Sequence, residues 1–182
     1  MKSICVYCGA ASGISADYAL AARELARVLV QHQLTLVYGG GNIGLMGIIA
    51  DEMLRLGGEV IGVIPQSLLD LEVGHLTLTR LHVVQTMHER KAMMSALSDG
   101  FIAMPGGMGT LEELFEMLTW LQLDFHQKPV GVLNVAGYYD GLLGFLDHSV
   151  HQGFLQAAHR TLLLASDNAE NLVSQLLMSQ GN

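Results

Sequence analysis

Between Ala103 and Glu113 the chain reads Ala103-Met104-Pro105-Gly106-Gly107-Met108-Gly109-Thr110-Leu111-Glu112-Glu113. Pro105 cannot donate to a strand ladder, and the glycines that follow expose backbone N–H groups where a helix begins. A phosphate would be held there by unpaired amides and the helix dipole, with the Thr110 hydroxyl as a further donor. Thr110 and Glu113 also spell the capping box T-x-x-E, which accounts for those two residues but not for Gly106, Gly107 and Gly109 together. A second glycine-rich stretch runs Tyr38-Gly39-Gly40-Gly41-Asn42-Ile43-Gly44-Leu45-Met46-Gly47. Three consecutive glycines weaken a strand end, and close approach of Gly40 and Gly41 to a ligand is the expected reason. The spacing is not the G-x-G-x-x-G of dinucleotide enzymes, so NAD is not indicated. A third loop, Cys8-Gly9-Ala10-Ala11-Ser12-Gly13, either cradles an anion or is an ordinary strand-to-helix turn. In Met87-His88-Glu89-Arg90-Lys91 two cations sit at a helix start, against the dipole, which points to a local anionic partner.

Short apolar runs alternating with helical patterns must position these residues. Strands are expected at Ser3 to Cys8, Thr35 to Tyr38, Val60 to Ile64, Leu81 to Val84, Gly100 to Met104 and Val130 to Leu133. Helices are expected at Ala16 to Gln31, Gly44 to Leu56, Met87 to Ser98, Thr110 to Leu123, Tyr138 to Gln152 and Ala169 to Met178. The alternation predicts a Rossmann-like, doubly wound parallel sheet in a three-layer α/β/α sandwich, one domain over residues 1–182, with its site outside the carboxyl ends of the strands. Cys5 and Cys8 form a C-x-x-C, but in a strand residues i and i+3 face opposite ways, so they are expected to be buried structural residues.

Composition narrows the function classes. Hydrophobic residues are 51% of the 182 and charged residues 14%, which excludes disorder and suggests an apolar partner surface such as a homo-oligomer's. Nine Lys+Arg against seventeen Asp+Glu give a net charge of −8, the wrong sign for binding nucleic acid. No apolar run reaches the ~18 residues of a membrane span, and Met1-Lys2-Ser3-Ile4-Cys5 opens no signal peptide; a cytoplasmic protein without membrane contact is expected.

With Pro105 to Glu113, the Gly39-Gly40-Gly41 loop running into Gly44-Leu45-Met46-Gly47, and Met87 to Lys91, the sequence resembles the LOG ("Lonely Guy") family. The likeness extends from Val6-Tyr7-Cys8-Gly9 through Lys128 to Asn134 and Gly137-Tyr138-Tyr139 to Gly153-Phe154. It implies a cytokinin riboside 5′-monophosphate phosphoribohydrolase, which frees the base and ribose 5-phosphate; bacterial relatives often hydrolyse AMP as well. By the same resemblance the catalytic pair is Arg90 and Glu113. The nucleotide contacts fall on Glu72, Arg90, Lys91, Gly106, Gly107, Met108, Gly109, Thr110, Leu111, Glu112 and Thr119, and a homodimer is implied. The family commonly has Cys-Gly-Ser-Ser where this chain has Cys8-Gly9-Ala10-Ala11, which leaves phosphate contacts there to backbone N–H groups and Ser12. Leu121 stands where plant members often have Ala.

Cleaving a nucleoside C1′–N bond needs an anion near C1′, a positioned water and help for the leaving base; Glu113 suits the first two tasks. No cofactor and no metal are expected. Relatives have carried a lysine decarboxylase label, but of Lys2, Lys91 and Lys128 just Lys91 is near the expected site. His88-Glu89 is followed by Ala92 rather than a second histidine, so H-E-x-x-H is missing, and His148 and His151 have no evident third ligand. The rival is a non-catalytic nucleotide carrier, which would share the phosphate loop but not need Glu113 and Arg90 together.

Overall fold

The computed structural model describes residues 1–71 and 74–179. Seven strands form one parallel sheet: β1 (Ser3–Tyr7), β2 (Thr35–Tyr38), β3 (Val60–Pro65), β4 (Arg80–Val84), β5 (Gly100–Ala103), β6 (Val130–Leu133) and β7 (Leu163–Ser166). Their spatial order is β4-β3-β2-β1-β5-β6-β7, with Cys5 beside Val37 on one side and Phe101 on the other. The sheet grows one way through β2, β3 and β4 and the other way from β5, so its switch point lies between β1 and β5. A crevice must open there, because the loops leaving the two strands diverge to opposite sides.

Helices α1 (Ala16–Gln31), α2 (Gly44–Arg55), α3 (Gln66–Leu69), α4 (Met87–Ala96), α5 (Met108–Gln122), α6 (Asp140–His151), α7 (Ala157–Arg160) and α8 (Ala169–Ser179) connect the strands. One face of the sheet is covered by α1, α2 and α8 through Leu25, Leu29, Ile49, Met53 and Leu172. The other is covered by α4 and α5 through Met94, Leu114 and Met117. Each fully buried side chain of this size contributes about 1.5 to 3 kcal/mol, so both layers are held by the alternating faces of the strands between them. Cys5 and Cys8 are free and buried, in opposite layers, as strand geometry requires. Among the described residues no helix is long and apolar enough to cross a membrane.

Most element boundaries fall within a residue or two of those expected. Strand β7 and the short α3 and α7 are additions. Helix α5 begins at Met108 rather than Thr110, and its N-cap is Gly107. The capping-box reading of Thr110 and Glu113 is therefore overturned: Thr110 is already inside the first turn, and Glu113 lies a turn further in.

Candidate active site

Three helices start beside the crevice, and two of them have their first amides satisfied. The N-terminus of α2 is closed by the first loop, with Leu45 N–H donating to the Gly9 carbonyl at 3.0 Å. Gly44 is glycine because a Cβ there would lie 2.2 Å from the Ala10 backbone. At α4, Thr86 Oγ1 accepts from Glu89 N–H at 3.1 Å while the Glu89 carboxylate accepts from Gln85 N–H at 2.7 Å. Neither α2 nor α5 has a side-chain cap, but α2 is closed by the Gly9 carbonyl, whereas at α5 Gly107 has no side chain to offer. The first amides of α5, on Met108, Gly109 and Thr110, have no carbonyl one turn back, so they form a seat for an anion.

The glycines of this loop divide into two kinds. A Cβ on Gly106 would fall 2.1 Å from Thr110 Oγ1 and 2.9 Å from Gly9 N, so Gly106 is dictated by packing. At Gly107 and Gly109 a Cβ would meet no described atom within 4 Å, and their bareness keeps the amides open to a ligand. The loop is braced from behind by Tyr138 and Tyr139, whose hydroxyls donate to the Gly106 and Met104 carbonyls, each at 2.6 Å.

Beside the anion seat lies a cavity of about 270 Å³ lined by Tyr7, Cys8, Gly9, Gly39, Met46, Met87, Arg90, Met94, Gly107, Gly109, Thr110, Glu112 and Glu113. A second, of about 370 Å³, shares Gly9, Ala10 and Gly107 with it and is lined also by Ser12, Tyr18, Pro105, Gly106 and Tyr138. The loop Gly106–Thr110 thus stands between a space walled by methionines and the ion pair and a space walled by tyrosines.

Arg90 and Glu113 meet in the first space, with Nη1 3.4 Å from Oε1 and both side chains about nine-tenths buried, at 11% and 10% exposure. The guanidinium is oriented by two main-chain carbonyls, Val63 at 3.2 Å from Nε and Gly39 at 3.3 Å from Nη2. Burial pushes the Glu113 carboxyl up to about 7, opposed by Arg90 and assisted by Glu112. A buried carboxyl that titrates near neutral pH beside a fixed cation, in a cleft, has the properties of a general base or an electrostatic catalyst.

Lys91 points away from Arg90, to Glu112 and, at 3.0 Å, to Glu116. The anionic partner expected for this pair of cations is therefore the protein's own α5, and the Lys91 ammonium is held up in pKa by its hydrogen bond to Glu112. A Schiff-base lysine needs a free amine, so Lys91 does not fit pyridoxal chemistry. Lys128 does not fit it either, with Nζ donating to the Ser95 carbonyl at 2.7 Å.

Gly106, Gly107, Gly109, Thr110, Glu112, Arg90, Glu113 and Ser12 come together around the two spaces. Met108 starts the same helix, 86% exposed, and Leu111 is half-buried against the core. Gly40 and Gly41 are a correction: both are buried away from the crevice, Gly40 against Ile64 and Leu81, and Gly41 accepting from the Tyr38 hydroxyl at 3.1 Å. It is Gly39 that lines the crevice, and its close approach is to Arg90, whose Nη2 would lie 1.9 Å from a Cβ there. Thr119 is also set apart, on the outer side of α5 in a cavity with Leu118, Leu146 and Leu155. Six residues beyond Glu113, it is about 9 Å further along the helix axis. Glu72 lies outside the described residues. Tyr138, Met46, Met87 and Met94 line the two spaces without having been singled out for it, and Tyr139 braces the loop from behind; Met46 and Met87 lay within the quoted motifs and the tyrosines within the Gly-Tyr-Tyr run.

A Rossmann-like sheet with an open helix N-terminus at its switch point and an ion pair buried beside it is an arrangement that can hold an anionic ligand near a carboxylate. Residues 46–176 match the family model described as "Possible lysine decarboxylase". The chain is 49% identical over 175 residues to cytokinin riboside 5′-monophosphate phosphoribohydrolase LOG5 of Arabidopsis thaliana, covering 96% of this chain and 77% of that one. It is likewise 49% identical to cytokinin riboside 5′-monophosphate phosphoribohydrolase LOG of Oryza sativa subsp. japonica, over 96% of this chain and 72% of that one. The chain belongs to the LOG family. Among solved structures, the molybdenum cofactor carrier protein of Chlamydomonas reinhardtii superposes with a TM-score of 0.74 over 100% of this chain and 99% of that one. At 18% identity that likeness is one of fold.

Proposed function

We propose that this protein is a phosphoribohydrolase that cleaves the N-glycosidic bond of adenine-type nucleoside 5′-monophosphates, cytokinin riboside monophosphates or AMP, to free base and ribose 5-phosphate. The observation that carries the reading is the Arg90–Glu113 pair, buried and opening on the same crevice as the uncapped start of α5. The names of relatives 49% identical over nearly the whole chain support it.

The phosphate sits on the amides of Met108, Gly109 and Thr110, and as the remote handle it aligns the ribose with Glu113. As the C1′–N bond lengthens, its electron pair leaves with the base and positive charge grows on the ribose. The Glu113 carboxylate stabilises that charge and takes a proton from the water whose oxygen bonds to C1′; the departing base is protonated in turn. Arg90, fixed by the Val63 and Gly39 carbonyls, orients Glu113 and keeps part of it ionised at neutral pH. Gly106, Leu111, Glu112 and Lys91 shape and brace the phosphate end, with Ser12 beside it.

Residues 1–182 act as one nucleotide-binding hydrolase domain in this reading, in the cytoplasm and as a homodimer. Met94 and Met117 belong to the core, whereas Leu123, Phe125, Phe145 and Phe154 are exposed, from 52% at Leu123 to 92% at Phe154, and supply the apolar surface for a partner.

The deciding experiment is incubation with AMP, isopentenyladenosine monophosphate, GMP and CMP while free base is followed by chromatography. Release of adenine or its N6-substituted form is expected. Tight nucleotide binding with no base released would put the non-catalytic carrier in its place.

A further inference from the structure

The loop Gly39–Gly41 has no side chains, so its shape is imposed by what its carbonyls accept. Gly39 accepts from Arg90 Nη2 at 3.3 Å, Gly40 from the N–H of His75 at 2.8 Å, and Gly41 from the Tyr38 hydroxyl at 3.1 Å. Gly41 also pairs with Gly74 in an antiparallel bridge, so the backbone of residues 74 and 75 lies along the loop like a short extra strand. On the opposite side Gly40, at a φ of +72°, abuts Ile64 and Leu81.

What fixes that extra strand is the His75 side chain. Its ring is 8% exposed, with Nε2 3.0 Å from Asp51 Oδ1 on α2 and Nδ1 3.3 Å from the Thr77 hydroxyl. A hydroxyl donating to Nδ1 puts the ring proton on Nε2, facing Asp51. A line of contacts then runs from α2 through His75 and the glycine loop to the guanidinium of Arg90.

We infer that His75, anchored by Asp51, is a positioning residue that holds the Gly39–Gly41 loop, and through the Gly39 carbonyl the guanidinium of Arg90, in place against Glu113. The inference rests on the catalytic role given to Arg90 above. Neither His75 nor Asp51 lines the crevice that holds Arg90 and Glu113; both line a separate cavity of about 640 Å³ with Asn42, Gly74 and Thr77, so the effect inferred on Arg90 is one of geometry.

His75→Ala is expected to lower kcat about tenfold with KM changed less than about threefold, since a displacement near 1 Å at a reacting group costs up to about a hundredfold. The same variant is expected to quicken hydrogen exchange at Arg90 Nε–H, followed by NMR. His75→Gln, whose amide can still donate to Asp51, restores both readouts. Asp51→Ala, which changes an exposed side chain, gives the same losses and serves if His75→Ala does not fold. Wild-type kcat in both alanine variants, or slowed turnover with Arg90 exchange unchanged, overturns the inference. If the wild-type protein frees no base from any nucleotide, the proposed function fails by itself. Arg90 exchange in the same variants then decides the latch, supporting it if quickened and rejecting it if unchanged.

Discussion

Glu113 is costly to the fold. Its carboxyl titrates at about 7 against an ordinary value near 4.5, so the folded state binds a proton more tightly than the unfolded chain. The stability this group contributes is full below pH 4.5 and is lost as pH rises towards 7, a change of about 3 kcal/mol. Glu113→Gln keeps the volume and removes the ionisation. The difference in Tm, variant minus wild type, is therefore expected to grow more positive from pH 5 to pH 8; a gap that does not move with pH would contradict the assignment. Because Gly107 is the cap of α5, the substitution costs no capping bond. Its kcat is expected to fall by a factor on the order of a hundred to ten thousand with folding intact, since the charge acts chiefly in the transition state. Near-wild-type kcat in Glu113→Gln would refute the mechanism. In the wild type, kcat/KM should rise with pH through about 7, as the carboxylate forms. Arg90 holds that value down, so in Arg90→Ala the limb should move to higher pH along with the loss of turnover.

At the scale of elements, the bare start of α5 predicts what the substrate must carry. AMP should be cleaved with a far higher kcat/KM than adenosine, because each charge-assisted bond to phosphate is worth about 1.5 to 3 kcal/mol, roughly ten- to a hundredfold. Comparable values for the two would reject the anion seat. Gly39→Ala, whose Cβ would land 1.9 Å from Arg90 Nη2, should lose turnover while keeping the sheet, a result readable from activity beside an unchanged circular dichroism spectrum. The α5 loop was legible in the sequence because proline and glycine act locally, on the residue that carries them. Its first residue was not, since Thr110 looks like a cap and the true cap is a glycine with nothing to recognise. Strand β7 escaped because Leu163-Leu164-Ala165-Ser166 has no β-branched residue and lies half-exposed at the sheet edge. The tyrosine braces escaped because their partners are 32 and 35 residues away. Gly40 and Gly41 were placed at the ligand for a sound local reason, close approach, but what approaches is strand β3 and the Gly74 backbone.

For the molecule as a whole, a chain with 14% charged residues that leaves Phe125, Phe145 and Phe154 largely exposed has apolar surface to cover. Light scattering at micromolar concentration is expected to return twice the chain mass, and Phe145→Glu to move it towards the monomer; a wild-type monomer would remove the dimer from the proposal. The layers around the switch point bear on how this protein can vary. Arg90 is aimed by the main-chain carbonyls of Val63, within β3, and Gly39, just after β2, so side chains act on it through the course of the backbone they hold. A saturation library should therefore be unforgiving at Arg90, sensitive to bulk alone at Gly39, and at Val63 tolerant of every residue that packs. The aim of the guanidinium is inherited with the backbone, and sequences can drift widely around it as long as the residues that hold the Gly39–Gly41 loop are kept.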